Sequence, residues 1–310
     1  MKAVRAGPSA VVATERARPR ASRRQARLVL KRVSLYVVLI VGGLVMMIPF
    51  FWMLLTSLKT RAEVFGSAPL SLPSGAHWEN YATMWSAFGD VTFGNFFLNS
   101  LKLATLNTIG QVIACTLAAF AFAVLPFRGR SVLFGILLAT LIIPFQVVLV
   151  PNFVLWRNLP HPTSESGNFI GTQEPLWVGA FLGGAFGIFL LRQFFMAIPN
   201  ELADAARIDG ANPWHILRRV YLPLARPAIA TLAIFQFMWS WNDLINPLIY
   251  LRHLDQYTTT VGLAFFQGQY VGKWPEMMAG AMVSLLPMII LFVVAQKYFV
   301  RGIALTGLKG

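Results

Sequence analysis

Apolar residues in this chain neither alternate along strands nor mark out one face of a soluble helix. They run together. Six runs lie at about residues 33–56, 96–124, 132–154, 176–196, 228–251 and 278–300, each near the ~20 residues a helix needs to cross a bilayer. Helices that are hydrophobic all round belong in lipid or against one another. In hydrocarbon the backbone must satisfy its own hydrogen bonds, which selects helices over open sheets. The pattern therefore predicts an all-α, polytopic membrane protein with about six transmembrane helices. Pro144 and Pro151, flanking Gln146, mark the third run as a kinked span, a feature that often lines transport paths.

Composition supports this reading. Of the 310 residues 56% are hydrophobic and only 12% charged, where a soluble domain carries roughly 25% charged residues. The net charge of +14 would suggest nucleic acid in a soluble protein. Here the Lys and Arg residues cluster at the ends of the apolar runs, so the membrane accounts for them and no nucleic-acid partner is expected. Ten lie before the first run; Arg128 and Arg130 follow the second; Arg207, Arg218, Arg219 and Arg226 follow the fourth; Lys297, Arg301 and Lys309 close the chain. The opposite side holds fewer: Lys59, Arg61, Arg157, Arg252 and Lys273. By the positive-inside rule both termini are cytoplasmic. Residues 1–32 read as a disordered basic tail that touches anionic lipid, and residues 33–310 as the transmembrane domain. The stretch up to residue 56 is too long for a signal peptide and no small-residue cleavage site follows it.

Candidate chemistry is sparse. His77, His161, His215 and His253 lie in separate loops without ligand spacing, so no metal site is expected. No nucleophile–base pair stands out, and no phosphate-binding Gly-x4-Gly-Lys-Ser/Thr loop is present. The single Cys115 lies within an apolar run as a small packing residue. Within the spans Asp243 is the deepest carboxylate, and an intramembrane carboxylate is a candidate functional group. With Asn242 and Asn246 it either lines a polar cavity that binds hydroxyl groups or makes structural bonds to a neighbouring helix. Gln236, Trp239, Ser240 and Trp241 precede it, as stacking surfaces or as interface and packing residues. Asn99 and Asn107 share a face of the second run, toward a pore or bonded across helices.

The cytoplasmic stretch at about residues 197–226 differs from the rest. It predicts two short helices joined by Gly210, with Glu201, Asp204 and Asp209 as its acidic residues. Glu201 and Asp204 sit in the opening turns of the first helix, where the macrodipole favours negative charge. Gly210 supplies a left-handed closing residue, Asn212–Pro213 supplies an N-cap and first-turn proline, and Pro223 marks the end of the second helix. Leu202, Ala205, Ala206, Ile216, Leu217 and Val220 provide a small apolar surface. Two readings stand: a docking knob for another protein, or an amphipathic connector lying on the membrane.

This stretch resembles the EAA loop of importer permeases of the ATP-binding-cassette class. Asp204-Ala205-Ala206, Gly210 and Val220-Tyr221-Leu222-Pro223 occupy the motif's spacing, with Asp204 in place of Glu and Val220 in place of Ile. Trp241-Asn242-Asp243 with Pro247-Leu248, Asn80-Tyr81 after the first run, residues 189–195 and the C-terminal residues 296–310 are similar to the carbohydrate permeases, of the smaller maltose-type subunit. The resemblance implies a type I importer permease fold that forms half of a translocation pathway for a carbohydrate. It implies a second homologous permease subunit and a pair of ATPase subunits that bind ATP and Mg and receive the EAA loop. It also implies an extracytoplasmic solute-binding protein. The alternatives are the same class importing a polyol, a glycerophosphate or another solute, or an ion-coupled transporter, which would need more buried acid or base groups than Asp243 alone. No cofactor is expected in this chain.

Overall fold

The computed structural model describes residues 20–268 and 273–306, with side chains described over 28–267 and 273–296. Among the described residues the secondary structure is helical, apart from two isolated bridges, Phe88 with Val91 and Pro160 with Asn168. The chain divides into two units, residues 1–52 and 53–310.

The first unit carries most of α1 (Arg20–Ser57). The expectation of a tail through residue 32 is corrected here, because α1 begins at Arg20. The helix breaker immediately before it is Pro19, and the following Arg, Ala, Gln, Leu and Lys residues all have strong helix propensity. Residues 1–19 lie outside the described residues. The part of α1 that is long and apolar enough to cross a membrane is Leu28–Ser57.

In the second unit, three further helical stretches meet that test: Phe93–Val124, Val178–Met196 and Trp274–Gln296. The other two expected spans are broken. The third is split into α5 (Arg130–Thr140) and α6 (Phe145–Asn158), which are bent by 100°. Pro144 is the cause, since it has no N–H to continue the ladder and pushes Ile143 out of the helical region. Pro151, inside α6, does not end that helix. The fifth run is not one helix to residue 251. It forms α11 (Arg226–Trp241), a non-helical turn, and α12 (Ile245–Tyr250). The fourth run opens as a 3₁₀ segment, Val178–Leu182, turns at Gly183 (φ +78°) and continues as α7 (Ala185–Met196).

The core of this unit sits between α4 (Phe93–Val124), α7 and α11. Gly187 on α7 permits the close approach, because a Cβ there would lie 2.7 Å from Cys115 Sγ and 3.0 Å from Leu232 Cδ1. Cys115 is fully buried, as expected of a packing residue. A second cluster joins α3 (Glu79–Trp85), α4, α13 (Thr259–Gly268) and α14 (Trp274–Thr306) through Met84, Phe93, Phe96, Phe266 and Met277.

The long outer loop after α1 is ordered by polar contacts. Asn80 Nδ2 donates to Ser57 O at 2.9 Å and Lys59 O at 3.0 Å, and Tyr81 Oη lies 2.9 Å from Ser57 Oγ. Asn80 thus takes up orphan carbonyls where α1 ends, and Tyr81 engages the Ser57 hydroxyl beside them. The Lys59 ammonium is buried among Ser71 Oγ (3.0 Å) and Ala68 O (3.3 Å). In α2 (Arg61–Gly66) Glu63 accepts from the Thr60 and Ser74 amides at 2.8 and 2.7 Å. Hydrogen bonds from Ser74, then Thr60, hold its carboxyl down at about 2. A carboxyl lowered on folding stabilises above its unfolded value and loses that contribution as pH falls toward its folded one, so its hold on this loop weakens progressively between the ordinary carboxylate range and about 2. Arg61 reaches α14 by an ion pair with the buried Glu276 at 2.9 Å.

Gly187→Val should force α7 away from α4 and α11 at a cost of about 1–3 kcal/mol, seen as a lowered unfolding midpoint in detergent. Gly135→Ala, where an added Cβ meets nothing within 4 Å, should leave the midpoint unchanged or slightly raised.

Candidate functional site

The segment between α7 and α11 folds as two short helices and a turn. α8 (Asn200–Ile208) opens with Glu201 in its first turn. Gly210 follows at φ +79°, with its N–H on Arg207 O at 3.0 Å, and Ala211 N donates to Ala206 O at 2.9 Å. That pair of bonds and the left-handed glycine close the helix as a C-terminal cap does. α9 (Pro213–Ile216) begins on the Asn212 cap, whose Oδ1 accepts from His215 N at 2.9 Å. It continues as a π turn over Leu217–Tyr221 and then α10 (Leu222–Leu224). Pro223 is accommodated within that last turn rather than just beyond it. In a regular helix its ring would clash with the carbonyl four residues back, and the wider π turn relieves this. The stretch Pro213–Leu224 meets α11 at a bend of 79°.

The segment has two sides. Its inner side is buried: Ala203, Ile216, Leu217, Tyr221 and Ala225 join Phe120 of α4 and Phe195 of α7 in one core. Tyr221 is 1% exposed and packs edge-on to both rings, at 5.3 Å from Phe120 and 5.5 Å from Phe195. The expected apolar surface is therefore corrected. Ile216 and Leu217 face inward, because Pro213 fixes the helix start and turns them under the loop, while Leu202 and Ala205 remain outside. The outer side shows Ile208 at 87% and Trp214 at 56% exposure. Glu201, Asp204, Asp209, Gly210 and Pro223 are exposed as well, with Ala206 and Leu222 half-buried. Asp204 is paired with Arg207 one turn on.

Among the polar residues of the membrane segments, hydrogen bonds within the chain dominate. Asn107 Nδ2 donates to Leu176 O at 2.7 Å, and its Oδ1 accepts from Gln236 Nε2 at 2.9 Å. Asn99 Nδ2 reaches Asp255 O and Tyr257 O at 2.6 and 3.1 Å. Trp241 is buried between Phe97 and Phe237, its indole N–H on Ser284 O at 3.2 Å. Asp243 lies in the turn between α11 and α12, not inside a helix. Its carboxylate accepts from Asn246 N at 3.2 Å and Asn246 Nδ2 at 2.8 Å, and its carbonyl accepts from the Thr260 hydroxyl at 2.7 Å. It acts as a side-chain cap for α12. Asn242 Nδ2 folds back on Met238 O at 2.8 Å. Ser240 is half-buried, whereas Trp239 is 72% exposed. The structure thus gathers Asn107 with Gln236, and Asp243 with Asn246, but does not bring these residues to one common cavity.

The paired helices on a left-handed glycine, held beneath membrane helices, coincide with a known family. Residues 111–305 match the model described as binding-protein-dependent transport system inner membrane component. The chain belongs to this family. It is accordingly a membrane component of a transport system, and the α8–α10 segment lies inside the matched region. The permease is 34% identical over 238 residues to the alpha-glucoside transport system permease protein AglG of Rhizobium meliloti, covering 75% of this chain and 60% of that relative's length. It is 30% identical over 282 residues to the arabinooligosaccharides transport system permease protein AraQ of Bacillus subtilis, covering 90% of this chain and 96% of the relative. Its fold is that of a chain in a bacterial ABC transporter involved in the import of alginate, with a TM-score of 0.72 at 24% identity, covering 91% of this chain and 99% of the other.

Sequence reasoning on the permease missed the aromatic anchor, although Tyr221 stood inside the motif, because its partners Phe120 and Phe195 are distant in the chain. It also missed Ile208 and Trp214, whose exposure in a charged loop was the available signal.

Tyr221→Ala should remove about 3–5 kcal/mol of packing and free the loop from α4 and α7. The readout is faster tryptic cleavage after Arg207 and Arg218, with Tyr221→Phe cleaved at the wild-type rate.

Proposed function

We propose that this permease forms half of the translocation pathway of an ATP-driven importer for an oligosaccharide or glycoside, and that α8–α10 is the part that receives force from an ATPase subunit. What carries the reading is the two-sided loop. One side is locked by Tyr221 to the membrane helices, and the other offers Leu202, Ile208 and Trp214 among charges. An apolar helical knob of that kind suits a groove on a second protein. A rigid core behind it converts a push on the knob into movement of α4, α7 and α11, because packed interiors transmit displacement.

In this reading the partner ATPases bind ATP and Mg and hydrolyse the nucleotide. A second homologous permease completes the pathway, and an extracytoplasmic binding protein delivers the solute. The names of AglG and AraQ support a carbohydrate solute. Of the polar set, the exposed Trp239 and Asn242 beside the break after α11 are assigned to the pathway, since an indole face stacks on a sugar ring. Asn107, Gln236, Trp241, Asp243 and Asn246 hold that wall in shape.

Two experiments test this. Ile208→Asp and Gly210→Val should each lower co-purification of the ATPase and solute uptake about ten-fold or more, with the permease still present in the membrane at wild-type amount. Ile208→Asp puts a charge into an apolar contact. Gly210→Val forces a branched side chain into left-handed backbone. Wild-type uptake in both variants would remove the docking role. Trp239→Ala should lower sugar uptake while the assembled complex is retained. Import of a polyol or glycerophosphate with no sugar import would overturn the solute class and leave the docking role standing.

A further inference from the structure

A cavity of about 790 Å³ opens at the turn between α4 and α5, lined by Arg128, Arg130 and Arg192 together with Gly129 and Ser131. No acidic side chain lines it, and none of the three arginines makes an ion pair among the described residues. By the distribution of Lys and Arg this turn lies on the cytoplasmic face, where the bilayer ends.

Two of the guanidiniums are held in place by the fold. Arg192 donates from Nε to Phe122 O at 3.1 Å and its Cζ sits over the Phe134 ring, 3.9 Å from the centroid. Arg130 donates from Nη2 to Ala123 O at 3.0 Å. Both take up terminal carbonyls of α4, which is a structural duty. It does not use all their donors: each guanidinium carries five N–H groups, and the Nη groups of Arg192 make no hydrogen bond among the described residues. Arg128 is exposed and has no hydrogen bond of its own among them. Gly129, at φ +80°, lets the chain turn into α5, and it brings no capping side chain to the first amides of that helix. Two preset guanidiniums and a free third beside unsatisfied donors, with no carboxylate to neutralise them, match the planar, multidentate recognition of a phosphate oxygen.

We propose that this pocket binds the phosphodiester of an anionic phospholipid from the cytoplasmic leaflet. The lipid source, rather than a free phosphate, follows from position. The pocket adjoins α4 and the span Val178–Met196 that ends in α7, both long and apolar enough to cross a membrane, and α5 begins at its rim with exposed Val132 and Leu133, against which an acyl chain can lie. A bound headgroup would join the α4–α5 turn to Arg192 on α7, the helix that leads into α8. The inference does not depend on the solute or on the ATPase.

The test uses the full chain, purified in mild detergent with whatever subunits accompany it and exchanged into vesicles of phosphatidylcholine with a minor fraction of phosphatidylglycerol. After re-extraction, retained lipid is counted by native mass spectrometry. Phosphatidylglycerol should be enriched over phosphatidylcholine in the wild type. Arg128→Gln, which removes no structural bond, should lower that enrichment about five-fold, Arg128→Lys less so, and Arg128→Gln/Arg130→Gln further. Excess inorganic phosphate should leave the enrichment intact. Equal retention of the two lipids, an enrichment unchanged in both Gln variants, or complete displacement by inorganic phosphate would each overturn the proposal, the last by assigning the pocket to a soluble anion.

Discussion

The packing of Tyr221 between Phe120 and Phe195 is the contact on which the rest of this structure depends. A loop of about thirty residues outside the membrane would ordinarily move on its own, since loops make few buried contacts. Here three aromatic rings, with Ile216 and Leu217 beneath the loop, make it an extension of the membrane core. Gly210 and Asn212–Pro213 set the hairpin's shape locally, and the π turn lets Tyr221 and Pro223 follow one another without breaking the connection to α11. Shape comes from the turn residues and stiffness from the aromatic core.

A second theme is how helix ends are satisfied. The spans are interrupted at Pro144, at Gly183 and after Trp241, and every interruption exposes carbonyl or amide groups that lipid cannot serve. The chain answers with side chains from elsewhere. Asn80 takes carbonyls where α1 ends, Arg130 and Arg192 take those of α4, Asn107 takes Leu176 O, and Asp243 caps α12. Polar residues within apolar runs are thereby explained before any solute is invoked. The same accounting isolates what is left over: the exposed Trp239 on one side, and the unused guanidinium donors with Arg128 on the other.

The class and its main parts were legible from the chain. Long apolar runs can only be membrane helices, because unpaired backbone in hydrocarbon is too costly for any other choice. The loop at 197–226 was legible because its turn chemistry is local: Gly210 at positive φ, Asn212 as a cap, and Pro213 in the first turn each act within a few residues. The start of α1 was misplaced because charge was read as disorder, although Arg, Lys and Gln extend helices as well as leucine does. The break in the third span was legible in Pro144, whereas the fifth was read as continuous because hydrophobicity measures where a segment resides and carries no information on its continuity.

Residue type and spacing alone determined the helical membrane class, the position of the loop and the conformation at Gly210, since each rests on transfer from water or on backbone sterics over a few residues. Tertiary structure decided which apolar side of the loop is buried, that Trp241 is core while Trp239 is surface, that Asp243 caps a helix, and that Arg192 joins the sequence neighbours Arg128 and Arg130 around one cavity. Those outcomes depend on distances between helices that meet only when the chain packs, and no local preference encodes them.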